Sequence, residues 1–181
     1  MKYALTYGLL SGFVIIATML TGIVLADQES FFSSEWFGYL VMLVALTFIF
    51  VGVKRYRDVE RGGVIRFGPA FAMGLGIAAA AGVAYVTVWE AYLAATGYAF
   101  MDEYIDGILR ARQAEGASAA AIAEETAKLE TLRVNYANPL FRIPMTFLEI
   151  FPVGLLVALA SALLLRNPKL LPADSGRNTL I

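Results

Sequence analysis

The 181-residue chain contains no cysteine and no histidine. Lack of cysteine excludes disulfides, thiolate metal sites and thiol nucleophiles. Lack of histidine removes the commonest general base, the commonest metal ligand and the side chain that titrates near neutrality. Proton or metal chemistry would fall to carboxylates, Lys, Tyr or hydroxyls. Charge is also scarce, at 16% of residues, where a soluble domain carries about a quarter. A net charge of −1 lacks the basic excess that nucleic-acid binding needs. No catalytic signature occurs, so the chain is read as non-enzymatic, with no cofactor and no metal.

What is abundant is apolar length. The chain is 59% hydrophobic, with a mean hydropathy of +0.68. A hydrocarbon core about 30 Å thick needs about 20 apolar residues as helix. Four stretches qualify: Tyr3 to Ala26, Trp36 to Val53, Phe67 to about Thr96, and Ile143 to Leu165. The third contains Glu90 and the fourth Glu149; the first two carry no charge up to Ala26 and Val53. Helices are expected, because each backbone N–H must find its partner inside the segment. The "VLA" before Asp27 resembles a signal-peptide end, but the apolar region is too long and only Lys2 precedes it.

Orientation follows from the loops. "DQESFFSSE", after the first span, holds Asp27, Glu29 and Glu35 and no base. The loop 54–66 holds Lys54, Arg55, Arg57, Arg61 and Arg66 against Asp58 and Glu60. The tail 167–181 and its approach hold Arg166, Lys169 and Arg177 against Asp174. The positive-inside rule then places both termini and the basic loop in the cytoplasm. Gly62-Gly63 permits a tight turn there, and Gly68-Pro69 opens the third span. The five basic loop residues are candidates for lipid headgroups; the alternative is an ordinary topogenic loop.

Residues 97–142 differ in kind, with seven acids against five bases, net −2. Met101, Tyr104, Ile105, Ile108 and Leu109 recur at helical spacing, then Ile122, Thr126, Leu129, Leu132 and Tyr136. Gly116 ends the first arm, Ser118 caps the second, and Asn138-Pro139 closes it. The expected fold is all-α and polytopic: spans 1–3 in residues 1–96, a periplasmic amphipathic helical hairpin over 97–142, and span 4 over 143–166. The length of the third span suggests that it runs straight on into the first arm.

Small residues mark where spans approach closely. Gly8 and Gly12 form one such pair; Gly74, Ala78 and Gly82 form a second set; Gly154, Ala158 and Ala162 a third. These serve contacts within the chain or a homodimer. Ionisable groups inside spans are functional candidates by default. Glu90 and Glu149 are placed at similar depth in the outer half, with Arg142 two turns before Glu149 and so on its face. Tyr85, Thr87 and Thr146 lie nearby in sequence. Three roles stay open: a structural site paired with Arg142, a proton or cation site, or carboxylates reaching outer-leaflet water. Pro152 frees a carbonyl near Leu148 and is expected to kink the fourth helix beside Glu149.

"GYLVMLVALTFIFVGVKRYRD", "GGVIRFGPAF" and "NPLFRIPMTFLEIFPVGLLVALASALLL" resemble the bacterial membrane family called domain of unknown function 4199, over nearly the whole chain. Pro69 stands where that pattern leads one to expect a polar or basic residue. The resemblance implies a four-helix integral inner-membrane protein and assigns no activity. The expected role is a scaffold, accessory subunit or sensor acting through its hairpin, in contact with membrane lipids and with a second copy or another membrane protein. The alternative is a small oligomeric transporter or channel using Glu90 and Glu149.

Overall fold

The computed structural model describes residues 1–25 and 35–173, and these are helical almost throughout. The helices are α1 Lys2–Leu25, α2 Glu35–Glu60, α3 Phe67–Ala95, α4 Phe100–Ala114, α5 Ala119–Ala137 and α6 Pro139–Leu165. No strand occurs among the described residues. The acidic loop's Asp27 and Glu29, and Asp174 and Arg177 of the tail, lie outside them. Four helices, α1, α2, α3 and α6, are long and apolar enough to cross a membrane.

The ends of the helices follow from local chemistry. Pro69 is the third residue of α3, where its missing N–H would have had no helical partner. The first N–H to find one is that of Ala70, on the Arg66 carbonyl at 3.1 Å. The expected run from α3 into α4 does not occur. Gly97 and Tyr98 both take left-handed φ values, 64° and 61°. The Tyr98 N–H reaches the Leu93 carbonyl at 2.7 Å and the Gly97 N–H that of Ala94 at 3.3 Å, which terminates α3. Helix α6 begins four residues before the expected Ile143. Asn138 caps it, its Oδ1 accepting from the Leu140 N–H at 3.0 Å, and Pro139 takes the first helical position. Asn138 thus ends α5 and starts α6. Helix α6 is unbroken through Pro144 and Pro152, so the kink read from Pro152 does not interrupt it. Helix α2 runs on past Val53 to Glu60, and residues 64–66 are non-helical.

The chain divides into two compact units, one of residues 1–85 with 147 onward, the other Val86–Thr146. In the first, glycine sets the helix spacing. A Cβ built on Gly8 would lie 2.5 Å from Ala80 Cβ and 2.8 Å from the Ile77 carbonyl oxygen. One on Gly12 would lie 2.9 Å from Ala84 Cβ. The Gly8/Gly12 pair is therefore spent on α3 within the chain. Helices α3 and α6 match in antiparallel register: Gly74 against Ala158 and Ala78 against Gly154, each with a virtual Cβ contact of 2.9 Å. Gly82 faces the Phe147 ring, 2.6 Å from such a Cβ. Isolated Gly52 admits both Ile77 and Tyr7, at 2.6 and 2.9 Å. Between these approaches lie Ile15, Leu46, Ile49, Val53, Ile77 and Ile150, all buried. Other apolar side chains, such as Leu5, Phe13, Leu43, Val83 and Leu156, point outward. Only 28–33% of each span window is buried, a division suited to acyl chains as solvent.

The second unit holds the hairpin. Gly116, with φ 77°, ends α4, and the Ser118 hydroxyl accepts the Ala121 N–H at 3.3 Å to start α5. Met101, Ile105, Leu129 and Tyr136 are its buried residues. Tyr104 and Thr126 of the expected stripes face outward. Arg133 crosses from α5 to Asp102 of α4 at 2.8 Å.

Replacing Gly8 or Gly74 by Val is expected to lower stability by about 1–3 kcal/mol through overpacking. Gly107, mid-helix with nothing near its virtual Cβ, should instead gain about 0.5–1 kcal/mol on replacement by Ala. Thermal unfolding of the purified protein in detergent measures both.

Candidate functional site

Three groups of polar residues stand out. The most complete is in the second unit, around Arg142. Arg142 is only 2% exposed. Nε and Nη2 donate to the two oxygens of Glu90, each at 2.7 Å. Nη1 donates to the Tyr136 carbonyl at 2.9 Å. The rings of Tyr98 and Tyr136 flank it, with centroids 5.1 and 5.7 Å away. Trp89 Nε1 donates to the Tyr136 hydroxyl at 2.8 Å, and the indole packs on Tyr92 and edge-on to Phe100. One cation thus ties the last turns of α3, the end of α5 and the first turn of α6. A bidentate fork and ring faces suit Arg and not Lys. The left-handed Tyr98 backbone, unusual for a bulky residue, is the conformation that ends α3 beside this cation.

Glu149 belongs to the first unit and has different company. Glu149 itself is exposed. The Tyr85 hydroxyl stands 3.5 Å from its Oε2 and 3.2 Å from the Met19 sulfur. At 3.5 Å the first contact is at the limit of hydrogen bonding. Arg142 is therefore the partner of Glu90, whereas the two-turn spacing had put it on the face of Glu149. Thr146 is buried, and its hydroxyl makes no hydrogen bond among the described residues. Thr87 is exposed.

The third group is the basic turn. Arg57 is fully buried. Its Nε donates to Asp58 at 2.7 Å, Nη1 to the Leu170 carbonyl at 3.0 Å, and Nη2 to the Leu171 carbonyl. Asp58 also accepts from Lys54 at 2.6 Å. Two of the five lipid-headgroup candidates, Lys54 and Arg57, are thus engaged inside the protein. Arg57 in particular is withdrawn from headgroups, because its donors satisfy backbone carbonyls 113 and 114 residues away. Arg55, Arg61 and Arg66 remain exposed. Arg61 also contacts the Tyr56 hydroxyl, at 2.8 and 3.0 Å.

A family model described as "Protein of unknown function (DUF4199)" matches residues 6–167. The chain belongs to this family. No curated protein and no solved structure matches it. The DUF4199 match takes in the Arg142 and Glu149 groups whole and the side chains of the basic turn. It leaves the Leu170 and Leu171 carbonyls just beyond its end.

Sequence reasoning missed the aromatic frame of Arg142 and the inward turn of Arg57. The adjacent Trp89-Glu90 pair and the tyrosines at 98 and 136 were visible signals for the first. The second had none, since backbone carbonyls carry no residue signature.

On the hairpin, outside the spans, Glu124 and Lys128 pair at 2.7 Å. The Lys128 hydrogen bond holds the Glu124 carboxyl below its usual range, and the same bond raises the Lys128 ammonium. Both groups are exposed, and such pairs contribute little.

Glu90→Gln leaves Arg142 buried without its counter-charge and is expected to cost about 3–5 kcal/mol. Glu149→Gln, losing one long contact on an exposed face, should change stability by less than about 1 kcal/mol. Unfolding of both variants in detergent measures the contrast.

Proposed function

We propose that this DUF4199 protein is a non-enzymatic component of the bacterial inner membrane, with both termini in the cytoplasm. In this reading it presents the α4–α5 hairpin to the periplasm as a scaffold, accessory subunit or sensor. One observation carries the reading: Glu90 is held at both oxygens by Arg142. A carboxylate so neutralised serves to brace the base of the hairpin and is not free to load and release a proton. The hairpin itself offers a long, charged, solvent-facing surface. Asp106, Arg110, Glu124 and Lys128 are all exposed along it, and their charge suits a protein partner of mixed polarity. The partner is another membrane protein or a second copy of the chain.

A second reading is favoured by Glu149, an exposed carboxylate within a span with no cation in ion-pair range among the described residues. In a small oligomeric transporter or channel, a second subunit would cover that face, and the carboxylate would carry a proton or cation.

Affinity purification from native membranes separates the two. The scaffold reading predicts a reproducible partner that is lost, on the order of tenfold, when Asp106, Arg110, Glu124 and Lys128 are all replaced by Ala, a loss expected for a desolvated interface. Absence of any partner, together with proton or cation flux in vesicles that Glu149→Gln abolishes, would replace it with the transporter reading.

A further inference from the structure

The ion pairs of the basic turn divide its charges into two classes. Asp58 is taken by Lys54 and Arg57. Glu60 is taken by Lys2 at 2.8 Å and by the Tyr3 hydroxyl at 3.2 Å. Both acids of this turn are thereby neutralised from within. Arg55, Arg61 and Arg66 are exposed, and no carboxylate pairs with them among the described residues.

A second chain segment joins them. Arg166 and Lys169, just after α6, are likewise exposed. Arg57 fixes this segment to the turn through the Leu170 and Leu171 carbonyls. The approach is close, since a Cβ on Gly63 would lie 3.3 Å from that of Ala173. Leu171 is held with φ 46°, a left-handed backbone that a leucine avoids unless its surroundings impose it. Exposed apolar side chains sit among the cations: Val59, Val64 and Leu171. Cations interleaved with small apolar groups, at the end of membrane-length helices, match the boundary where headgroup phosphates meet acyl chains.

We propose that this end of the protein is a two-segment binding site for anionic phospholipid headgroups. Arg55, Arg61 and Arg66 supply one half, Arg166 and Lys169 the other. Arg57 is the positioning residue that brings the halves together, and it does not itself meet the lipid. Topogenic charge needs no fixed geometry between segments. The Arg57 tether, which holds the cations after α6 beside those of the turn, is what makes one site of two basic segments.

The test uses the full-length protein purified in detergent. Native mass spectrometry measures binding of phosphatidylglycerol against phosphatidylcholine. The wild type is expected to prefer phosphatidylglycerol. The double variant Arg166→Gln/Lys169→Gln, which keeps every charge of the turn, should weaken that preference about 25-fold, from about fivefold for each of two cations at the membrane surface. Lys54→Gln should leave it unchanged, because that ammonium is spent on Asp58. Inorganic phosphate should not displace the lipid, whose acyl boundary meets Val59, Val64 and Leu171. Equal binding of the two lipids by the wild type would overturn the site. So would an unaltered preference in the double variant with its helical circular dichroism intact. Displacement by free phosphate would make it a phosphate site and not a lipid one.

Discussion

A bilayer gives an apolar helix no reason to leave lipid for another helix, so contact must come from shape and from polar pairing. Everything described in the first unit follows from that constraint. Many bulky side chains, Leu5, Leu9, Phe13 and Leu43 among them, face outward, where acyl chains solvate them, and Gly and Ala mark the closest approaches of the inner faces. The reciprocal fit of Gly74 with Ala158 and Ala78 with Gly154 lets two backbones approach until dispersion contacts replace those lost to lipid. Gly8 and Gly12 do the same for α1 on α3. The larger core residues, Leu46, Ile49, Ile77 and Ile150, fill the spaces left between those approaches.

The same low-dielectric surroundings govern the charges. Among the described residues, Arg57 in the first unit and Arg142 in the second are both essentially without exposure. Each is satisfied by one carboxylate and by backbone carbonyls. Both join segments distant in sequence. Arg142 draws α3, α5 and α6 together beneath the hairpin, and Arg57 secures the chain beyond α6 to the end of α2. Removing either counter-charge would leave a guanidinium that neither lipid nor packed helix can solvate. Glu149 stands outside this scheme, and for that reason it carries the alternative reading of function.

Much of the fold was legible because its signals are local. Span lengths, the hairpin, the Gly116 break, the Ser118 cap and the small-residue sets all reside in short windows of sequence. Helix ends that depend on burial were not. Arg142 reads as a loop charge until its partner is known, so the sequence points to a start for α6 after it and not at Pro139. Two turns separate Arg142 from Glu149, which made that pairing as attractive on paper as the one 52 residues back at Glu90. The break at Gly97 was hidden by the apolar run on either side, and the Tyr98 conformation that completes it has no sequence signature. In sequence Arg57 looks like its exposed neighbours because nothing local distinguishes it; its acceptors are carbonyls more than a hundred residues away.

The membrane-spanning arrangement is what all of this presumes, and the absence of cysteine makes it directly measurable. Ser118→Cys and Arg55→Cys, made singly, are to be treated with an impermeant thiol reagent in cells whose outer membrane is opened. Labelling at position 118 in these cells, and at position 55 only after the inner membrane is disrupted, is the predicted result. Labelling at 55 with protection at 118, or at both before disruption, would contradict the account.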